Sequence, residues 1–341
     1  MGDQACPGGE GQTGDLHPET AGRKNCALPR SSGRKDGRTR DSLSAGTPCI
    51  PPADTFHEDE KSRTGSFPVE SPALKNESAV KQMTRAECIN TLAAFCGVRD
   101  LPELTPEALR EKYQIPRADV MVLFGGSILC GGDLLAQGMR NGIAGKYIIV
   151  GGYGHTTPDL LEKIHRFCPD IDTRNMQEAE AFQSYLEHRY GLRADALETE
   201  STNCGNNITN LLDLMDSRGI SCQSIILVQD ATMQRRMEAG MRKYRPEIRT
   251  VSFAAYQARV TEEGGQLRYA FPIPGMWDME RYVSLLLGEI PRLTDNEEGY
   301  GPRGRGYIAH VDVPESVRAA YLALSADYPV RGADPRFASG K

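Results

Sequence analysis

From residue 119 to 253 the chain alternates short apolar runs with longer amphipathic stretches, and glycine or small polar residues mark the switches. The runs 119–124, 147–150, 224–228 and 249–253, with a shorter one at 196–197, read as strands. Between them, helical spacing marks 134–140, a stretch opened by Thr157-Pro158, a helix capped by Asn175 with Glu178 at its third position, another through Leu211, Leu212 and Met215, and 233–244. Strands that alternate with helices of this length form a parallel sheet covered on both faces. Right-handed crossovers make it an α/β, Rossmann-like doubly wound parallel sheet. Beyond it, residues 256–341 are turn-rich, with a strong helix at 279–288 and a last one after Pro314, which predicts a small, mostly helical C-terminal cap.

Residues 1–82 lack this order. Strings such as GRKDGRTRDS and PCIPPAD hold few large apolar groups, so the segment cannot offset its ordering entropy and reads as a disordered extension. Two readings stand for it: a functional flexible arm, or a chain whose translation starts at Met83. Thr84 and Glu87 form a capping box for a helix that buries Ile89, Leu92, Ala93 and Cys96 and ends at Gly97. Thr105-Pro106 opens a second helix through Ala108, Leu109 and Tyr113.

Composition excludes several classes. A net charge of -6 argues against a nucleic-acid partner, which needs a basic surface. No apolar run reaches the ~18 residues of a membrane-spanning helix, and the N-terminus has no secretory pattern. The nine cysteines include no C-x-x-C pair, so no metal site is expected, and reduced thiols in a cytoplasmic protein are the natural reading.

In an open α/β sheet, ligands bind outside the carboxyl ends of the strands. Four loops meet there, and helix starts with free N–H groups suit a nucleotide-like ligand. They supply Gly125, Gly126 and Ser127; Gly151, Gly152, Gly154 and His155; Glu198, Ser201, Thr202, Asn203 and Asn207; and Gln229, Asp230 and Arg236. His155 and Asp230 are the acid/base candidates, His155 because its ring titrates near neutrality. Each has a plainer alternative: glycines for positive-φ turns, Ser201-Thr202-Asn203 for a helix cap, a loop histidine bonding a carbonyl, and Arg235 and Arg236 solvated. Cys204 reads as a small buried thiol, Met233, Met237 and Met241 as core packing, and Gly301 to Arg305, near His310 and Asp312, as a structural turn or an anion contact. The dinucleotide fingerprint fails at Gly152-Tyr153-Gly154, and no phosphate-binding Gly-Lys-Ser/Thr occurs.

In combination these loops resemble the SanA/ElyC/YdcF family, the domain of unknown function 218. The similarity rests on Asp119 and Gly125, Gly151-Gly152, Glu178-Ala179, Glu198-x-x-Ser201-Thr202-Asn203 and Asn207. The strings GHTT, STNCG and QDATMQRR, then MERYVSLLLGEIPRL, GYGPRGR and HVD, are similar to the YdcF-type branch. That resemblance implies a family domain at 83–255, a cap at 256–341, S-adenosylmethionine as cofactor, and Glu178 among the ligand-binding residues. Membrane-anchored relatives make peripheral attachment to the plasma membrane a lesser alternative. Met233 stands where many members have histidine, and Asn206 where the family has glutamate, so roles of those groups do not transfer. Three functions follow in order: S-adenosylmethionine binding with methyl transfer; a hydrolase or transferase on a phosphorylated or envelope-derived substrate; and a non-enzymatic, ligand-responsive interaction protein.

Overall fold

A computed structural model describes residues 83–332; the extension expected over 1–82 lies outside the described residues. In chain order the elements are α1 (Arg85–Cys96), α2 (Pro106–Tyr113), β1 (Ala118–Phe124), α3 (Cys130–Asn141), β2 (Ala144–Val150), α4 (Thr157–Phe167), α5 (Glu178–Tyr190) and β3 (Ala196–Glu198). Then come α6 (Cys204–Ser217), β4 (Ser224–Val228), α7 (Gln234–Tyr244), β5 (Arg249–Ser252), β6 (Val260–Glu263), β7 (Gln266–Tyr269), α8 (Met279–Leu293) and α9 (Glu315–Ser325).

Strands β1 to β5 form one all-parallel sheet in the order β3-β2-β1-β4-β5. The fold is the expected doubly wound α/β sheet. Strand side chains alternate between two layers, as the period of two requires. Val120, Val122 and Phe124 of β1 meet Ile148 and Val150 of β2, Ile225 and Leu227 of β4, and the inner faces of α6 and α7. Met121, Leu123, Ile149, Ile226 and Val228 face the other way, into a larger core with α3, α4 and α5. Burial on both faces explains why the strands read as continuous apolar runs rather than alternating ones.

The chain runs outward from β1 through β2 to β3, then returns to place β4 on the other side of β1. The strand order therefore reverses between β1 and β4, the position at which open α/β sheets bind their ligands. Asp119 lies at the opposite end: its Oδ2 accepts from the Gln223 and Ser224 N–H groups (2.8 and 2.9 Å) and pins β1 to the start of β4.

Helix α1 packs against α8 and α9, and all three share the larger core. Thr84 caps α1 with Glu87 completing the box, as the sequence predicts. The cap of α5 differs. Gln177 takes that position with Glu180 as its partner, while Asn175 turns left-handed at φ 60° two residues earlier. A hairpin of β6 and β7 adds to the helices expected beyond residue 256. Among the described residues no helix is long and apolar enough to cross a membrane.

Candidate functional site

The carboxyl ends of β1 and β2 run directly into glycines. None of Gly125, Gly126, Gly151, Gly152 and Gly154 has a positive φ, so the turn explanation for them is corrected. Space is the reason instead at three of them. A Cβ on Gly125 would lie 2.1 Å from Glu178 Oε2, one on Gly151 2.9 Å from Glu178 Cβ, and one on Gly152 2.3 Å from the Ser201 carbonyl. Gly125 and Gly151 make room for one buried carboxyl group, and Gly152 for the chain at 199–201.

That carboxyl belongs to Glu178, the first residue of α5. Its N–H bonds the Gly152 carbonyl and that of Ala179 bonds Gly151 (3.0 and 2.8 Å), which locks the helix start onto the end of β2. The side chain is 7% exposed. Thr157 and Thr156 hydroxyls donate to Oε1 (2.8 and 3.4 Å), whereas Oε2, beside Gly125, takes no hydrogen bond from the described residues. Burial pushes the carboxyl up to about 7, against the lowering effect of the two hydroxyls. At neutral pH such a group both gives and accepts a proton, the property a general acid or base requires.

Asp230 leaves β4 at the switch point. Its Oδ1 is held by the Thr232 N–H (2.9 Å), the Thr232 hydroxyl (2.8 Å) and the Tyr256 hydroxyl (2.8 Å). Burial and the Asp230 charge push Tyr256 well above its usual value, so it stays a donor. Oδ2 takes no hydrogen bond from the described residues. Gln229 accepts from the Asp230 N–H through Oε1 (2.6 Å), and its buried Nε2 has no partner among the described residues. Across the gap, a Cβ on Gly126 would stand 3.3 Å from Gln229 Oε1 and 3.8 Å from Asp230 Cβ. The two loops are thus a van der Waals distance apart.

Lys163 was not among the expected residues. From α4 its Nζ donates to the Ser127 carbonyl (3.1 Å) and lies over the Trp277 ring (4.2 Å). Burial lowers its pKa, while Asp159 and Asp230 hold it up. Helical position alone marks it as an ordinary surface lysine; only the C-terminal segment that brings Trp277 against α4 reveals otherwise.

The third loop is organised chiefly for itself. Glu198 Oε1 accepts from the Glu200 and Ser201 N–H groups and from Asn210 (2.7, 2.9 and 3.0 Å), leaving a buried Oε2 without a partner. Ser201 accepts the Gly152 N–H at its carbonyl and hydroxyl (3.0 and 3.2 Å). Asn203 caps α6 through the N–H groups of Gly205 and Asn206, and the Thr202 hydroxyl meets Asn206 (3.3 Å). Several N–H groups expected to be free for a ligand are therefore taken up inside the fold, including that of Gly154, which donates to Thr157 (2.7 Å). Asn207, one turn into α6, is 8% exposed with no hydrogen bond from its amide among the described residues.

The arginines are not solvated, and that expectation is corrected. Arg235 lies over the Phe95 ring (4.3 Å) and bonds the Phe95 carbonyl. Arg236 forms a two-pronged pair with Glu289 of α8 (2.5 and 2.9 Å), a carboxylate 1% exposed. His155 meets the Arg331 guanidinium through Nε2. Cys204 is half-buried, its Sγ 3.7 Å from the Met233 sulfur, and Met237 and Met241 pack in the smaller core.

Two clefts border this region. One of about 450 Å³ is lined by Lys163, Trp277, Asp278 and Arg281 together with α4 residues. Another of about 350 Å³ touches Ala231 and Tyr256. None of the loop residues expected from sequence lines either one. No family model matches the chain.

Proposed function

We propose that this protein binds a nucleotide-like small molecule, with S-adenosylmethionine the first candidate, at the carboxyl ends of β1, β2 and β4. One observation carries the reading. Two buried carboxyl groups at the strand ends, Glu178 and Asp230, each have one oxygen fixed by the fold and the other without a hydrogen bond from the described residues. A carboxyl oxygen left open in this way accepts hydrogen bonds readily, and the hydroxyl or amino groups of a nucleoside can donate them. The choice of S-adenosylmethionine comes from the resemblance to the SanA/ElyC/YdcF family, of which we propose the chain is a member. A cytoplasmic setting suits the free thiols at Cys88, Cys96, Cys130 and Cys168.

Methyl transfer is the reaction such a site would perform. It needs the donor and acceptor held in line, and a base to take the acceptor's proton. Glu178, titrating near 7 beside Gly125 and Gly151, is the candidate base. Titration calorimetry of the full chain tests binding. S-adenosylmethionine and S-adenosylhomocysteine should bind saturably, and Glu178→Gln should weaken both by about tenfold, the equivalent of one lost charge-assisted hydrogen bond. Absence of binding by either ligand to the folded wild-type chain overturns the reading.

A further inference from the structure

Two guanidinium groups, of Arg236 and Arg292, share one carboxylate where α7 meets α8, and a third arginine, Arg331, packs against α8 beside them. Glu289 binds Arg236 in two places and stands 3.9 Å from Arg292. Arg292 also donates to the Gly288 carbonyl. Gly288 brings the third member in. A Cβ there would lie 2.9 Å from the Arg331 carbonyl and 2.9 Å from Arg292 Nη1, so the chain at 331 lies directly on α8. From that anchor Arg331 reaches His155 on the loop after β2.

Among the described residues Arg331 therefore has a histidine for a partner and no carboxylate within ion-pair distance. Burial and the positive charges of Arg281, Arg292 and Arg236 lower its pKa, with Glu289 opposing them. Among arginines, a largely desolvated guanidinium facing others of its kind is costly unless an anion joins it. The contrast with Arg236 is direct: that side chain is 12% exposed and holds a carboxylate through Nε and Nη2.

We propose that Arg331, Arg292 and Arg236 form a binding site for a phosphate group, carried free or on a nucleotide. Three guanidinium groups against one carboxylate leave a surplus of two positive charges, which a phosphate dianion matches. The planar forks offer paired N–H donors to its oxygens. An amino-acid carboxylate fits less well, because its neighbouring ammonium group would face the same arginines. His155 closes the loop side, where its ring either donates to the same oxygens or fixes Arg331 in place. The proposal rests on the preceding reading only where it joins phosphate and nucleoside in one ligand; the arginine cluster stands without it.

The test is calorimetric titration of the full chain with pyrophosphate, ADP and S-adenosylmethionine at low and high salt. Pyrophosphate should bind saturably and more weakly as salt rises. Arg331→Gln should weaken it by about tenfold or more, with Arg331→Lys intermediate because charge survives without the fork. Arg292→Lys gives a second, milder variant should Arg331→Gln unfold, and circular dichroism reports folding in each. Tighter binding of ADP than pyrophosphate supports the site and assigns the phosphate to a nucleotide. Tighter binding of pyrophosphate supports the site as a receptor for a free anion. Failure of S-adenosylmethionine alone overturns the preceding reading and leaves this one intact. Failure of pyrophosphate and ADP with the chain folded, or affinities unmoved by both Arg331→Gln and Arg292→Lys, overturns the phosphate site.

Discussion

At the scale of single residues, Glu178 shows why a site can be named in sequence and still not be understood there. The Glu-Ala pair resembles a family motif, but nothing in the string says that the carboxyl is buried, or that Gly125 and Gly151 exist to admit it. Those facts arise from residues 27 and 53 positions away in sequence, brought together by two crossovers. The consequence is measurable. The folded chain holds the Glu178 proton up to about 7, against an ordinary 4.5, so the folded state binds that proton more tightly than the unfolded one. Its contribution to stability is full below pH 4.5 and is lost as pH rises through about 7. Relative to a Glu178→Gln variant, the wild type should lose up to ~3 kcal/mol across that window. Urea unfolding of both proteins at several pH values checks this; parallel curves would remove the raised carboxyl from the account.

At the scale of elements, most of the fold was legible. Burial on both faces made β1, β2 and β4 visible as apolar runs, and Thr84 with Glu87 and Thr105 with Pro106 marked two helix starts where the structure has them. The hairpin of β6 and β7 was not read, although its Gly264-Gly265 turn, with φ of 57° and 77°, is the left-handed pair such a two-residue turn demands. Its strands are only four residues each and carry Thr261, Glu262, Gln266 and Arg268, so no apolar alternation announced them. Capping also sorts the site residues. Asn203 holds the N-terminus of α6, so Asn203→Ala should cost about 1 kcal/mol in thermal or urea unfolding. Asn207 caps nothing. An Asn203→Ala variant with unchanged stability would show that the asparagine serves a ligand rather than the helix.

At the scale of the whole molecule, the sheet and the C-terminal helices are joined by charge as well as by the shared core. Arg236 stands on α7, which covers the sheet; Glu289 stands on α8. Sequence could not show this pairing, because fifty-three positions separate the two and an arginine on a helix ordinarily faces water. Breaking such a buried pair from one side leaves a charge without compensation, so Glu289→Ala should destabilise the chain by about 3–5 kcal/mol. Urea unfolding measures it, and a loss below about 1 kcal/mol would mean the pair is exposed and weak. The larger organisation was readable because strand order follows from crossover connections. Where that order reverses was not, because that depends on β4 pairing with β1 rather than with β3.

The central claim is that the carboxyl ends of β1, β2 and β4 hold a nucleotide-like ligand against Glu178 and Asp230. Its most direct test is titration calorimetry of the wild-type chain with S-adenosylmethionine, repeated on the Glu178→Gln variant. Saturable binding that weakens about tenfold in the variant, which removes one charge-assisted contact, is the predicted result. Binding of equal strength in both would place the ligand elsewhere, and no binding to the folded wild type would contradict the claim outright.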